Sequence, residues 1–441
     1  MIKTRELMAK VLNILLSQFK YFLFLYFIIQ ILLLFRFPIQ YSSDSGYYFK
    51  LAQDCISKGG IYPLPQHLFE DYIVAPLYVN IITLLLIVFN SSLTIGIFNI
   101  ALNAIQIFLL YKITAMLINE KAARISIIFY ILYLNNLGLV LLNLTELLFT
   151  VAVSCSIYFY LKKKSWSWLL AGIFCGVSIA IRPLGWALVL SFLSIISYKI
   201  YKKEIQYSAM LYLLTGLFTI ILLFGSMTNL SFGKFVFTSD NGPLNILMGA
   251  NDHANGGYYE KVFEKGEIGY IGHPENLTFY QKQEFWRSQA VSWISAHPVK
   301  WIMLFPKKLF NMFAWDDISV SKLVFNNFNL LNFLKALKEH IPLSNILGGF
   351  SMIQVALWGF LIIYHHLIYY FIIYFFIFGL IKFRKIVFNN SDFNMLLLFI
   401  GIGIIMTLVA VGDPRYKYPY MFIIFIFNSL FISKYLFVKE K

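Results

Sequence analysis

The stretch Tyr41-Ser-Ser-Asp-Ser-Gly-Tyr-Tyr-Phe-Lys-Leu-Ala-Gln-Asp-Cys-Ile-Ser-Lys-Gly-Gly-Ile-Tyr-Pro63 follows directly on the apolar run 19–37. It places an acid, Asp44, one short step outside a greasy helix and at the head of a second one. Tyr47, Tyr48, Leu51, Ala52, Cys55 and Ile56 then recur at helical spacing. Two readings of Asp44 stand side by side. It caps the new helix, or it is a general base, a carboxylate whose pKa rises as lipid and aromatic rings desolvate it. The two roles are compatible.

Outward from this stretch the chain is apolar. Of its 441 residues, 59% are hydrophobic and 13% charged, and the mean hydropathy is +0.72. A soluble protein could not bury that much apolar surface, so most of it is expected to face lipid. The three cysteines, Cys55, Cys155 and Cys175, imply no disulfide framework. The first apolar run has no small-residue cleavage site after it and is expected to stay as a membrane anchor.

Apolar runs of near-spanning length lie at 19–37, 94–118, 124–142, 146–161, 166–181, 184–198, 207–230, 362–381, 394–411 and 416–433. The run 74–90 is marginal and is read as not crossing. With the N-terminus inside, one side receives segments 1–20, 112–124, 162–164, 199–204, 382–393 and 434–441. These hold 19 of the 36 Lys and Arg but only five of the 21 acids. The +15 net charge is then a topology signal with basic loops in the cytoplasm, and a nucleic-acid partner is not expected. Ten spans with both ends inside follow. The first outer loop covers 38–93, within an N-terminal membrane module 1–230. A large outer segment covers 231–361, and 362–441 completes the membrane part.

The outer segment opens with turn formers, Gly249-Ala-Asn-Asp-His-Ala-Asn-Gly-Gly257. A helix is expected from Thr278 to His297-Pro298. One amphipathic surface helix is expected from Val299 to Ala314, with Lys300, Lys307 and Lys308 on it. Residues 347–381 are too long for one span, so Tyr364-His-His366 is expected to mark an interface, with a surface helix before it. His253, His273, His297, His365 and His366 show no metal spacing and are expected at the surface.

The same arithmetic puts Asp44, Glu146, Arg182 and Asp413-Pro-Arg-Tyr-Lys417 on the outer face. Glu146 suits a helix N-terminus, and it stays at the outer edge because a carboxylate at the bilayer centre costs roughly 2.5–3.5 kcal/mol. Arg415, with Tyr416, Tyr418 and Tyr420 nearby, anchors to headgroups or forks onto a phosphate. Arg182-Pro183 has the same choice. Charges at helix ends on one face suggest a membrane-surface site. A transporter more often carries them near the midplane of broken helices. No Gly-rich phosphate loop occurs, so a group-transfer donor would have to arrive in the membrane on a lipid phosphate.

The chain resembles the C-type (GT-C) lipid-donor glycosyltransferases from about residue 15 to 430. It resembles in particular the bacterial branch related to protein O-mannosyltransferases and the lipid A aminoarabinose transferase. The carriers are Asp44-Ser-Gly-Tyr-Tyr with Leu51-Ala52 and Gly60-Ile-Tyr-Pro63; Ala75-Pro76-Leu-Tyr78; Leu144-Thr-Glu-Leu-Leu-Phe149; Ala171-Gly172 with Gly176 and Ile181-Arg-Pro183; Ala296-His-Pro298 with Lys308; and Arg415-Tyr416 before Pro419. The aminoarabinose transferases carry a Glu-Lys pair before the second proline. Here that stretch reads Tyr72-Ile-Val-Ala-Pro76, with Glu70 and Asp71 out of register.

The resemblance implies an all-α polytopic membrane protein, a GT-C-like helical bundle of about ten spans with outer juxtamembrane helices and a large outer loop. It implies a hexosyl or pentosyl transferase that moves a sugar from a polyprenyl-phosphate donor to an acceptor hydroxyl, with inversion, on the periplasmic face of a bacterial inner membrane. The acceptor is a glycan, glycolipid or protein, and membrane lipids surround the site. Asp44 is then the catalytic base and Glu146 positions substrates. Arg415, Arg182 and Lys417 hold the donor phosphate. A divalent cation on Asp44 and Glu146 is left open. The rival readings are a surface-polysaccharide polymerase or ligase and a non-catalytic transporter or flippase of lipid-linked sugars.

Overall fold

The computed structural model describes residues 10, 12–41, 44–316, 318–320, 339 and 352–437. The membrane-type helices are α1 (Phe19–Arg36), α3 (Pro76–Phe89), α4 (Leu93–Leu117), α5 (Glu120–Leu132), α6 (Glu146–Lys162), α7 (Ser165–Ile179), α8 (Gly185–Tyr201), α9 (Ser208–Phe232), α14 (Met352–Lys382), α15 (Ser391–Val409) and α16 (Tyr418–Phe437). The loop helices are α2 (Asp44–Lys58), α10 (Gly242–Met248), α11 (Phe279–Ala296), α12 (Pro298–Met303) and α13 (Phe305–Phe313). Among the described residues there is no β-strand, only an isolated parallel bridge between Gln40 and Leu142.

All ten apolar runs form helices. Among the described residues, six helices are long and apolar enough to cross a membrane, and residues 120–132 with 135–141, bent by 67°, make a seventh if taken as one span. The chain is an integral membrane protein. Helix α3 has 14 residues, about 21 Å at 1.5 Å per residue, short of the roughly 30 Å hydrocarbon core. It packs instead on α2, where Tyr78, Val79 and Ile82 meet Leu51, Ala52 and Cys55.

Helix α16 is the axis of the bundle. In an 18-residue apolar stretch within 414–436, 78% of residues are buried, against 17% in α1. Its aromatic and branched residues, Tyr420 to Phe427, therefore face protein all round, while α1 shows most of its surface outward. Helices α7 and α9 meet backbone to backbone. A Cβ on Gly172 would lie 1.9 Å from the Leu213 carbonyl oxygen, and one on Gly216 would lie 2.2 Å from that of Leu169. Small residues at such crossings permit the close packing that lipid itself cannot drive.

The basic loops meet at one end of the bundle. Asp392 accepts from Tyr160 at 2.9 Å and pairs with Lys199 at 2.5 Å and Lys163 at 3.4 Å. Glu146 and Lys162 are the two ends of α6, whose 17 residues span about 25 Å. The structure thus separates the 162–164, 199–204 and 382–393 loops from Glu146. Residues 1–9 and 438–441, which the topology places inside, lie outside the described residues.

Four expectations need correction. Val299–Ala314 is not one helix but two, α12 and α13, broken at Leu304, because Pro306 has no N–H to continue the ladder. Lys308 is buried rather than on a polar face, and its ammonium donates to the Leu408 carbonyl at 3.0 Å. Helix α14 runs unbroken through Tyr364-His-His366 for 31 residues, about 46 Å, since no Gly or Pro stops it there. His365 is not at the surface. It is fully buried and bonds Asp316. The start of the expected surface helix, 347–351, lies outside the described residues.

Helix α11 begins after Thr278, whose N–H and hydroxyl both donate to the Gln281 side chain. It ties the outer segment to the first loop. Lys282 pairs with Asp71 at 2.9 Å, and Gln283 donates to the Asp71 carbonyl at 2.9 Å. That use of Asp71 is structural and accounts for an acid that had no place in the motif.

Candidate active site

Asp44 is the first residue of α2, where its charge suits the helix N-terminus, with Lys58 at the opposite end. The preceding chain is pinned to the segment before α6. Gln40 N–H donates to the Leu141 carbonyl at 2.8 Å, and Asn143 donates to the Ser45 carbonyl at 3.0 Å. Tyr78 in turn holds the Asn143 amide at 2.8 Å. Gln40 and Ser45 are therefore held beside Leu141 and Asn143, and Asp44 comes beside Glu146, the first residue of α6.

The cation between them is Arg415. It sits on a single 3₁₀ turn, Pro414–Lys417, capped by Asp413, whose carboxylate accepts from the Arg415 N–H at 2.7 Å. Arg415 Nε donates to Glu146 Oε1 at 2.8 Å and Nη1 to Asp44 Oδ2 at 2.8 Å. Arg182, on the short link between α7 and α8, pairs with the same Glu146 oxygen at 3.1 Å, and its guanidinium stacks 5.7 Å from the Tyr416 ring centroid. Two carboxylates and two guanidiniums thus form one neutral cluster drawn from four distant parts of the chain.

Exposure is graded across it. The Glu146 side chain is fully buried, Arg182 is 13% exposed, Arg415 22% and Asp44 42%. Asp44 is the member a substrate can reach, and its Oδ1 carries no hydrogen bond among the described residues. Glu146 Oε2 is buried without a partner among the described residues. Burial works against the Arg182 charge, but the Glu146 carboxylate outweighs it and raises the Arg182 pKa. Asp413 is pushed up by burial, partly offset by the Arg415 N–H.

Lys417 departs from the expectation that grouped it with the two arginines. Its ammonium is fully buried and turned to other partners: Asp316 at 3.0 Å, the Met312 carbonyl at 2.9 Å, and the Trp315 carbonyl. Asp316 also accepts from Tyr133 at 3.0 Å and faces His365 at 3.2 Å. Lys417 therefore anchors the turn that carries Arg415 and does not sit with the carboxylates. The sequence reading also missed Asn143 and Tyr78, which set the Asp44 loop, and Tyr258, whose hydroxyl meets that of Tyr416 at 2.5 Å. Asp413 before Pro414 was readable as a cap. The Tyr258–Tyr416 contact, 158 residues apart, left no sequence signal.

A divalent cation does not fit Asp44 and Glu146 as they stand. Arg415 already takes one oxygen from each, and among the described residues no group of three or more His, Cys, Asp or Glu could hold a metal ion.

No known protein family and no curated protein matches the chain by sequence. Solved structures match it in fold. The apo oligosaccharyltransferase of Archaeoglobus fulgidus aligns with TM-score 0.50 and 13% identity over 94% of this chain and 50% of that one. The same enzyme in complex with Zn and sulfate gives 0.49 and 13% over 93% and 48%. ArnT from Cupriavidus metallidurans bound to undecaprenyl phosphate gives 0.41 and 11% over 94% and 77%. The chain spans about half the length of the archaeal enzyme. At these identities the likeness concerns the fold. The all-helical, membrane-spanning architecture of this chain is GT-C-like.

Proposed function

We propose that the chain is a membrane glycosyltransferase that moves a sugar from a polyprenyl-phosphate donor to an acceptor hydroxyl, on the outer face of the membrane and with inversion. The observation that carries this reading is the cluster itself. A reachable carboxylate, Asp44, shares a guanidinium with a buried one, Glu146, at the end of the bundle away from the basic loops. The GT-C-like fold supports it, and so does the placement of ionisable groups at helix ends rather than at the midplane, which disfavours a transporter.

In this mechanism the acceptor hydroxyl docks at Asp44 Oδ1 while Arg415 holds Oδ2. Its oxygen attacks the anomeric carbon as the proton passes to Asp44. The bond from that carbon to the phosphate oxygen breaks on the opposite face, so configuration inverts. The polyprenyl phosphate leaves as an anion and needs no acid. Arg415 and Arg182 lie where that charge develops, and fixed donors in a partly water-excluded site stabilise it more than water would. Glu146 keeps both guanidiniums in place. No step is assigned to a metal ion.

The test is transfer of radiolabelled sugar in membranes holding the chain, across a panel of polyprenyl-phosphate sugars. Label should move to an acceptor only when the chain is present. No transfer from any donor, together with movement of lipid-linked sugar across the bilayer, would favour the flippase reading instead.

A further inference from the structure

The segment that leaves α9 borders a cavity of about 330 Å³ that has no part in the cluster above. This lies at the lower end of the roughly 300–1,000 Å³ range of small-molecule sites. Its walls are aromatic, with Phe235, Phe237, Phe279 and Tyr280, and carry Lys234 and Asp240. Phe235 and Phe237 lie 6.0 Å apart, and Lys234 sits 4.8 Å from the Tyr280 ring centroid.

Three polar groups there have no hydrogen-bonding or ion-pair partner among the described residues and stay open to solvent. The Asp240 carboxylate is half-buried and makes no hydrogen bond or ion pair among the described residues. The neighbouring cation, Arg287, is taken by Glu284 at 2.7 Å. Lys234 pairs with no carboxylate among the described residues, and the Tyr280 hydroxyl has no hydrogen bond among them. Burial pushes Asp240 up to about 6. Its carboxylate oxygens are not sealed off and can be reached by a ligand. Here an ammonium lines the same cavity, yet the two charges have not closed on each other.

We propose that this cavity binds a neutral sugar ring. The ring offers hydroxyl donors to Asp240, hydroxyl acceptors to Lys234 and Tyr280, and an apolar face to the phenyl walls. A phosphate would set its charge against Asp240, and an acyl chain would strip water from two charges without replacing it. The place suits such a ligand. Thr238 donates to the Ile179 carbonyl at 2.6 Å, three residues before Arg182. Asp240 N–H donates to the Ile73 carbonyl at 2.9 Å, and the adjacent Tyr72 ring lies 5.6 Å from Tyr47, three residues along α2 from Asp44. The ring comes from the lipid-linked donor or from a glycan acceptor. Its role rests on the transfer reading, whereas its binding does not.

The experiment is saturation-transfer NMR on the full chain in nanodiscs with methyl glycosides of glucose, galactose, mannose and N-acetylglucosamine. At least one should bind the parent and Asp44→Asn alike. Asp240→Ala should weaken it about 10- to 100-fold, as for a lost charged hydrogen bond, and Asp240→Asn by less, with melting temperature and gel-filtration profile checked for both. In the transfer assay, a rise in donor KM alone in Asp240→Asn assigns the ring to the donor, and a rise in acceptor KM alone assigns it to the acceptor. If no glycoside binds, or if binding ignores both Asp240 variants, the proposal falls. It falls equally if undecaprenyl phosphate displaces the bound glycoside by itself. A chain that binds glycoside through Asp240 but transfers nothing would instead sink the transfer reading and keep the cavity.

Discussion

Replacing Arg415 by alanine removes two charge-assisted hydrogen bonds at once, 2.8 Å to Asp44 and 2.8 Å to Glu146. The consequences separate by burial. Asp44, 42% exposed, regains water and loses little stability. Glu146 is fully buried and keeps only Arg182 at 3.1 Å. Breaking a buried ion pair costs about 3–5 kcal/mol when no partner remains, so with one partner left the stability loss should fall below that range. The transfer rate suffers separately. Loss of a charged hydrogen-bond donor to the leaving phosphate costs about 1.5–3 kcal/mol, or roughly 10- to 100-fold at about 1.4 kcal/mol per decade. Arg415→Lys keeps the charge but cannot fork across both carboxylates, so it should recover only part of the rate. Glu146→Gln added to Arg415→Ala should lower the melting temperature further, because it leaves the buried Arg182 guanidinium without its carboxylate, and should restore none of the rate. The assay is transfer per unit of protein in membranes, with abundance fixed by blot. If Arg415→Ala and Arg415→Lys transfer like the parent at equal abundance, Arg415 is a headgroup anchor and the phosphate contact lies elsewhere.

Three further outcomes follow from the same geometry. Single cysteines at Lys163 and Asn255 should label from opposite sides with an impermeant reagent; labelling of position 163 from outside would overturn the topology. Chelation with EDTA should leave the transfer rate of the parent unchanged, since a guanidinium stands between the two carboxylates; loss of activity that returns with a divalent cation would contradict this. Lys308, pushed down to about 8 by burial, is held less tightly by its proton in the folded chain than the usual lysine value near 10.4, so stability should rise as pH climbs from about 8 toward that value. Lys308→Met should therefore raise the melting temperature more at pH 7 than at pH 10; an equal shift at both would show that the burial of charge is not the cause.

The parts legible in the sequence were those set by long-range averages or by local chemistry. The membrane class came from composition, and the separation of Lys163, Lys199 and Asp392 from Glu146 came from the charge count. Asp44 and Glu146 could be read as helix starts because carboxylates favour that position. What failed depended on neighbours the sequence does not show. Lys417 lies two residues from Arg415, but the 3₁₀ turn points the two side chains at different partners, and only Asp316 explains the choice. His365 looked like an interface residue in a chain of aromatics, whereas it is held inside by the same Asp316. Pro306 was a visible break, overridden by the apolar pattern around it. The convergence of the cluster rests on the Gln40–Leu141 and Ser45–Asn143 bonds, which no period or motif announces.

The most direct measurement compares Asp44→Asn with the parent in nanodiscs, reading turnover and donor affinity side by side. Asn keeps the size and one hydrogen-bond acceptor but cannot take a proton. The account predicts that transfer falls by at least the roughly 100-fold that general-base catalysis supplies, while the Kd for the polyprenyl-phosphate sugar changes less than about threefold and the product formed by the parent has inverted anomeric configuration. Transfer by Asp44→Asn at a rate near that of the parent would contradict it.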